Sequence, residues 1–308
     1  MKPAEAEGPL VVVSPVRDEA ARLPSVAAGL LAQRLRPAAW AVVDDGSADD
    51  TWELLVALAR RVPFLRPVRL ARGGARQPGP AVVRAFQAGL EALSDLPWAF
   101  VAKLDGDVLL PGDYYARALE AFGREPRLGI ASGACLAPRG DGRRGRFRLE
   151  PHAPGHTRGP CKVWRRACLE DIGGLRPVLG WDGLDGAEAR RRGWRTATLP
   201  GLHALLLRAT HGGEGALDGG RRAGRGAWQL HHAAPYLAAR AGLTLLRTGS
   251  GARALGMLLG YLEAAWRGER APLPAGLVAW LRAEQAARLR GALGGLLGRA
   301  RGAGEGAG

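Results

Sequence analysis

The sequence predicts an α/β fold: a mostly parallel sheet flanked by helices, followed by a helical C-terminal extension. Three observations predict it. Strand and helix signals alternate with short loops through about the first 120 residues, the pattern of a sheet covered by helices. Several strand signals are continuous apolar runs with β-branched residues, as strands buried on both faces require. Charged residues follow those runs directly: Arg17, Asp18, Glu19, Asp44, Asp45, Asp105 and Asp107. In open α/β sheets, ligands bind beyond the carboxyl ends of the strands, where these side chains fall.

Taken in order, residues 10–13 (Leu-Val-Val-Val) read as the first strand, and 14–19 (Ser-Pro-Val-Arg-Asp-Glu) as the loop after it. Residues 22–35 place Leu23, Val26, Ala27, Leu30 and Leu31 at helical spacing. A second strand at 40–43 ends in Asp44-Asp45-Gly46-Ser47, and a helix covers 52–61. A weaker strand at 65–70 precedes a Gly/Arg/Pro loop at 72–80 and a helix at 81–93. The strand at 98–102 runs into Asp105-Gly106-Asp107, and 109–113 stops it and starts a helix. Beyond residue 121 the pattern loosens. Strands are expected at 129–136, 159–164 and 195–199, and helices at 166–172 and from Gly180 through Arg192. Residues 138–148 read as a loop or hairpin, while 205–225, rich in Gly and Arg, give no clear assignment. Helical patterns return at 227–241, 252–266 and 277–297.

The 308 residues are 47% hydrophobic and 24% charged, enough for a sizeable core. The formal net charge of +15 suits an anionic partner, but the cations are nearly all Arg in an Ala- and Gly-rich chain, as GC-rich coding would give. No basic run alternates with aromatics, which argues against a nucleic-acid groove. Three cysteines, Cys135, Cys161 and Cys168, have no zinc spacing and no even pairing, so a reducing cytoplasmic setting is expected. The N-terminus has no signal-peptide core, and no run is long and apolar enough to span a membrane.

Two carboxylates one residue apart at a strand end, Asp105 and Asp107, form a hard-oxygen pair that suits Mg²⁺ or Mn²⁺. The competing reading is a tight turn, since Asp and Gly both favour turns. Asp182 begins a helical stretch after Gly180-Trp181. It reads either as a catalytic carboxylate or as an N-cap, a role worth about 1 kcal/mol. Arg72 and Arg76 could pair with a diphosphate or simply be solvated. His203 and His211 flank Leu205-Leu206-Leu207 and are as readily surface residues as ligands.

As an ordered set, Ser14-Pro15-Val16-Arg17-Asp18-Glu19, Asp44-Asp45-Gly46-Ser47 with Asp50, Asp105-Gly106-Asp107, and Gly180-Trp181-Asp182 before 190–194 resemble glycosyltransferase family 2 over residues 10–199. The resemblance implies the GT-A, Rossmann-like fold and an inverting transfer of a sugar from a nucleotide diphosphate, usually a UDP-sugar. It implies a catalytic domain at 1–225, with a nucleotide-binding half at about 10–120 and an acceptor half at about 121–225. Residues 226–301 are then a helical extension and 302–308 a disordered tail. Pro15, Arg17 and Glu19 fall in the family's first nucleotide-binding loop; Asp45 matches the base-binding carboxylate, Asp105 the acid near ribose and metal, and Asp107 the metal ligand. Arg76 is assigned to the nucleotide and His211 to the metal. Asp182 matches the acid of the family's Glu-Asp pair, the catalytic base. Trp181 replaces the Glu, so Asp185 stays an alternative. Gly173-Gly174-Leu175 resembles the family's turn before the acceptor region.

The implied partners are a nucleotide-sugar donor and a glycan or lipid-linked acceptor, in cell-surface glycan or polysaccharide synthesis. Apolar positions edged by Arg240, Arg247, Arg253 and Arg267 suit peripheral contact at the inner membrane face, or equally packing on the catalytic domain. Two other functions compete. A nucleotidyltransferase wants a Gly-rich loop after the first strand, and 14–19 contains no Gly. A non-catalytic sugar-nucleotide or glycan-binding protein would explain the missing Glu.

Overall fold

The computed structural model describes residues 8–71, 79–138, 147–150, 155–208 and 215–304, the last twelve of these by backbone alone. The chain divides into two compact units, 1–212 and 213–308.

The first unit opens as β1 (Leu10–Val16), α1 (Leu23–Leu31), β2 (Ala39–Asp44), α2 (Thr51–Ala59), β3 (Leu65–Arg69), α3 (Pro80–Glu91) and β4 (Phe100–Lys103). It continues as β5 (Val108–Leu109), α4 (Tyr114–Arg124), β6 (Leu128–Pro138), β7 (Phe147–Leu149), β8 (Lys162–Arg165), α5 (Arg166–Asp171), α6 (Trp181–Arg191) and β9 (Arg195–Leu206). A 3-10 turn, Gly159–Cys161, leads into β8. The described strands form one sheet in the order β3-β2-β1-β4-β8-β6-β9-β5, with β7 paired to β6. β3, β2, β1 and β4 are parallel neighbours. β8 joins antiparallel between β4 and β6, so the sheet is mixed in its second half.

The Val-rich strands are buried on both faces. In β1, Leu10 and Val12 pack with Trp40, Leu23 and Leu30 on one face. Val11 and Val13 pack with Val43, Val83 and Phe86 on the other. This period-2 sorting between two helix layers is why the strands are apolar at successive positions. All three cysteines are buried thiols outside any disulfide.

The second unit holds α7 (Ala216–Gln229), α8 (Ala234–Thr248), α9 (Gly251–Trp266) and α10 (Ala275–Gly304). Helix α7 covers much of the stretch left unassigned from sequence, and it explains why the units divide before residue 225. A Cβ on Gly224 would stand 2.0 Å from the Met257 carbonyl oxygen, and one on Gly260 2.0 Å from that of Arg221. The two helices therefore approach backbone to backbone, through positions that only glycine can occupy. Beside this contact, Ala227, Leu237, Ala241, Ala254, Met257 and Tyr261 form a small core. Helix α10 runs to Gly304, into the stretch read as a tail; 305–308 lie outside the described residues. Among the described residues, no helix is long and apolar enough to cross a membrane.

Candidate active site

Because β1, β2 and β4 run parallel, their carboxyl ends share one edge of the sheet. The loops there are laced together. The Asp18 N–H donates to Ser47 Oγ (2.9 Å), the Ala48 N–H to Asp18 Oδ1 (2.7 Å), and the Glu19 N–H to Thr51 Oγ1 (2.9 Å). Asp18 takes a positive φ of 56° to make this turn, a conformation Asp tolerates better than most residues. The two acids ending β2 then separate. Asp44 is fully buried and accepts the Ser47 N–H at 2.9 Å. Asp45 is half-buried at the edge, its N–H on the Val16 carbonyl at 2.9 Å. Pro15 and Arg17 are half-buried beside it.

The strand end at β4 carries the densest charge. Lys103, almost fully buried, donates its ammonium to Asp105 Oδ1 and to the Gly159 carbonyl at 3.4 Å. Gly106 is tucked under the first loop: a Cβ there would stand 2.9 Å from Val16 Cγ1 and 3.0 Å from Glu19 Cγ. That close approach brings Glu19 alongside Asp107. A third group joins them: Arg208 places Nε 2.5 Å from Asp107 Oδ2 and Nη2 on Glu19 Oε1. Arg22 reaches Glu19 Oε2 at 3.3 Å. Burial pushes the Glu19 carboxyl above the usual carboxylate range, while Arg208 pulls it back and Asp107 adds to the rise.

The other wall comes from the turn at Gly159–Cys161 and from α6. The Asp105 N–H donates to the Pro160 carbonyl at 3.0 Å, fixing this turn against β4. Asp182 also lies against this turn: a Cβ on Gly159 would come within 3.2 Å of Asp182 Oδ2. Asp105 and Asp182 thus both approach the same two-residue segment. Gly180, at φ 81°, occupies the N-cap position of α6, and Asp182 lies in the first turn, where the helix dipole favours a negative charge. Asp185 is placed differently. It is buried, accepts the Lys162 ammonium at 2.9 and 3.0 Å and Trp164 Nε1 at 2.9 Å, and takes its neighbour Gly186's N–H at 2.6 Å. Burial raises its carboxyl, and Lys162 is the strongest opposing influence. Lys162 also donates to the Asp182 carbonyl at 2.6 Å, so it ties the two acids of α6 together. The ammoniums of Lys103 and Lys162 each lie 5.4 Å from the ring centroid of Trp181.

The first loop, Asp45, Asp105 and Asp107 thus share one sheet edge, and Asp182 lies near them against the Gly159 turn. His203 is an exposed residue of β9. Arg72, Arg76 and His211 lie outside the described residues. Three cations were not anticipated from sequence: Lys103, Lys162 and Arg208. The available signal was a lysine adjoining an apolar run, Phe100–Ala102 before Lys103 and Val163-Trp164 after Lys162.

A divalent cation suits the donor set at β4. Asp105 commits Oδ1 to Lys103 and Asp107 commits Oδ2 to Arg208. Each carboxylate has a second, hard oxygen outside those ion pairs. Among the described residues no cluster of three His, Cys, Asp or Glu side chains is assembled for a metal. An ion held by one or two carboxylates, with phosphate oxygens and water completing its shell, is the usual arrangement for Mg²⁺.

No curated protein sequence matches the chain. Among solved structures, the chain is similar to the mannosyltransferase PcManGT from Pyrobaculum calidifontis, determined with GDP-Man and Mn²⁺. The identity is 18% and the TM-score 0.57, covering 93% of this chain and 82% of that one. It is also similar to residues 1-349 of S. aureus TarS bound to UDP-GlcNAc, at 17% identity and a TM-score of 0.51 over 84% and 73% of the two chains. GalNAc-T7, determined with UDP, GalNAc and Mn²⁺, matches at 13% identity and a TM-score of 0.50, over 68% of this chain and 45% of its own. These likenesses show a shared GT-A fold. The family model "Glycosyl transferase family 2" matches residues 11–169, more than half of the sequence, and the chain belongs to that family.

Proposed function

We propose that this chain transfers a sugar from a nucleotide diphosphate, most simply a UDP-sugar, to a hydroxyl of a glycan or lipid-linked acceptor, with inversion. The observation that supports the reading is that Asp182 and Asp105 both lie against the Gly159–Pro160 segment, which brings a third carboxylate to the strand end that carries Asp105 and Asp107. Direct displacement with inversion needs the leaving group on one side of the anomeric carbon and the base on the other; in this reading the strand end takes the first role and Asp182 the second. Asp107, assisted by Asp105, would hold Mg²⁺ or Mn²⁺, which supplies positive charge to the departing diphosphate. Asp182 takes the proton of the acceptor hydroxyl as it attacks the anomeric carbon. Asp185, engaged by Lys162 and Trp164, instead positions α6. Pro15, Arg17, Glu19 and Asp45 are assigned to the nucleotide pocket.

A carboxylate at Asp45 can accept the N3–H of uracil, which cytosine lacks. Asp45→Ala should therefore weaken UDP binding far more than CDP binding, reducing their affinity ratio by about tenfold, the scale of one charge-assisted hydrogen bond. Titration calorimetry with the two nucleotides checks this. An unchanged UDP:CDP ratio removes Asp45 from the base site.

The same reading places the enzyme at the cytoplasmic membrane face, as a peripheral protein of glycan or polysaccharide synthesis. Helix α9 exposes Leu255, Leu258, Leu262 and Trp266, spaced to return to one face, and Trp266 is 88% exposed. Helix α8 exposes Leu243, Leu245 and Leu246. Arg247 and Arg267 are exposed near these stripes, and Trp with basic neighbours suits an anionic bilayer surface. Vesicles containing phosphatidylglycerol should pellet the protein at low salt and release it at high salt, because screening weakens the basic contacts. Trp266→Ser with Leu262→Ser should reduce pelleting severalfold. No co-sedimentation at low salt contradicts membrane contact.

A further inference from the structure

Arg208 has no role in the function as read from sequence, yet its place is set by backbone rather than by the reach of a long side chain. β9 pairs antiparallel with β5, Leu206 opposite Val108, and the Leu207 N–H donates to the Asp107 carbonyl at 2.8 Å. The next residue therefore stands beside Asp107. Its guanidinium forks, Nε to Asp107 and Nη2 to Glu19, the planar geometry that suits arginine to carboxylate and phosphate oxygens alike. The side chain is 41% exposed, against 4% for Glu19. The carboxylate is thus anchored, and the cation is the partner with room to move.

We propose that Arg208 is a resident counter-cation that competes with the divalent ion for Asp107 and passes its guanidinium to the donor diphosphate when that ion binds. The inference rests on the metal assignment made above. A divalent ion held by the other oxygen of Asp107 would place positive charge beside the guanidinium and weaken one of its two ion pairs. A diphosphate would offer anionic oxygens in place of the Asp107 carboxylate. Ion and nucleotide then bind cooperatively, and part of that coupling runs through Arg208.

The test is Mn²⁺ binding, followed by electron paramagnetic resonance of the free ion, and UDP binding by calorimetry, on the full chain. Arg208→Gln should bind Mn²⁺ about tenfold more tightly than the parent in the absence of nucleotide. It should also bind UDP about tenfold more weakly at saturating Mn²⁺, the scale of one charge-assisted contact. Arg208→Lys, keeping the charge without the fork, should fall between. Arg22→Gln controls for charge alone, since Arg22 touches Glu19 but has no contact with Asp107 among the ion pairs of this cluster. Circular dichroism establishes that each variant is folded.

Equal gains in Mn²⁺ affinity for Arg22→Gln and Arg208→Gln would reduce the effect to net charge and overturn the proposal. So would an Mn²⁺ affinity that Arg208→Gln leaves unchanged while Asp107→Asn abolishes it; in that case the metal reading survives alone. If Asp107→Asn leaves Mn²⁺ binding as it was, the metal reading and this inference fall together.

Discussion

Replacing Asp182 by Asn should lower sugar transfer by at least about 10²-fold while leaving donor affinity close to the parent's. The shape is nearly conserved, but the amide cannot take a proton from the acceptor hydroxyl. Little stability is at stake. Asp182 sits in the first turn of α6 rather than at its N-cap, which Gly180 occupies. Losing one favourable helix-dipole contact costs about 0.3–1 kcal/mol. Asp185→Asn is the informative contrast. It leaves the fully buried Lys162 ammonium without its carboxylate. Breaking a buried pair in that way costs about 3–5 kcal/mol. The two variants should therefore separate cleanly: one folded and inactive, the other destabilised but active in its folded fraction. The checks are a thermal melt and turnover per folded molecule. A folded, inactive Asp185→Asn beside an active Asp182→Asn transfers the base to Asp185.

Asp107→Asn should abolish the gain in UDP affinity that Mn²⁺ gives the parent and reduce transfer by more than about 10²-fold, since charge stabilisation by a bound divalent ion is worth several kcal/mol. The fold should hold, because Arg208 retains Glu19 as its partner and Asp107 is bound into the sheet edge through its main-chain carbonyl. Metal-free UDP binding should not fall, and should rise to the extent that losing the Asp107 ion pair frees Arg208 for the diphosphate. Calorimetry with UDP, with and without Mn²⁺, reads all of this. A variant that keeps the full Mn²⁺-dependent gain removes Asp107 from the metal site.

How much was legible in advance depended on the range over which each signal acts. The strands β1, β2 and β4 could be read from their Val- and Ala-rich runs because burial on both faces leaves no polar alternative. The acids at their ends followed from the same periodicity. Helix α7 was obscured because Gly219, Gly220, Gly224 and Gly226 lie within it, each costing about 1 kcal/mol of helix propensity relative to Ala. Gly220 and Gly224 answer to α9, whose backbone they admit, and a local pattern contains no trace of that partner. Spacing could not separate Asp182 from Asp185 either, since both lie in the first two turns of α6. Burial beside Lys162 and Trp164 distinguishes them. Arg208 lies far from Asp107 in sequence, within a stretch dense in Gly and Arg, and only the β5–β9 pairing brings the two together.

The central claim is that this crevice cleaves a nucleotide sugar and passes the sugar on. Its most direct test is nucleoside diphosphate release by the purified full chain from a panel of UDP- and GDP-sugars, with Mn²⁺ and an acceptor-bearing membrane or glycan fraction. The account predicts release from at least one donor, matched mole for mole by sugar in an inverted linkage, and lost in Asp182→Asn. Donors that bind and stabilise the protein, yet remain intact in every combination, would contradict it and leave a nucleotide-sugar-binding protein in its place.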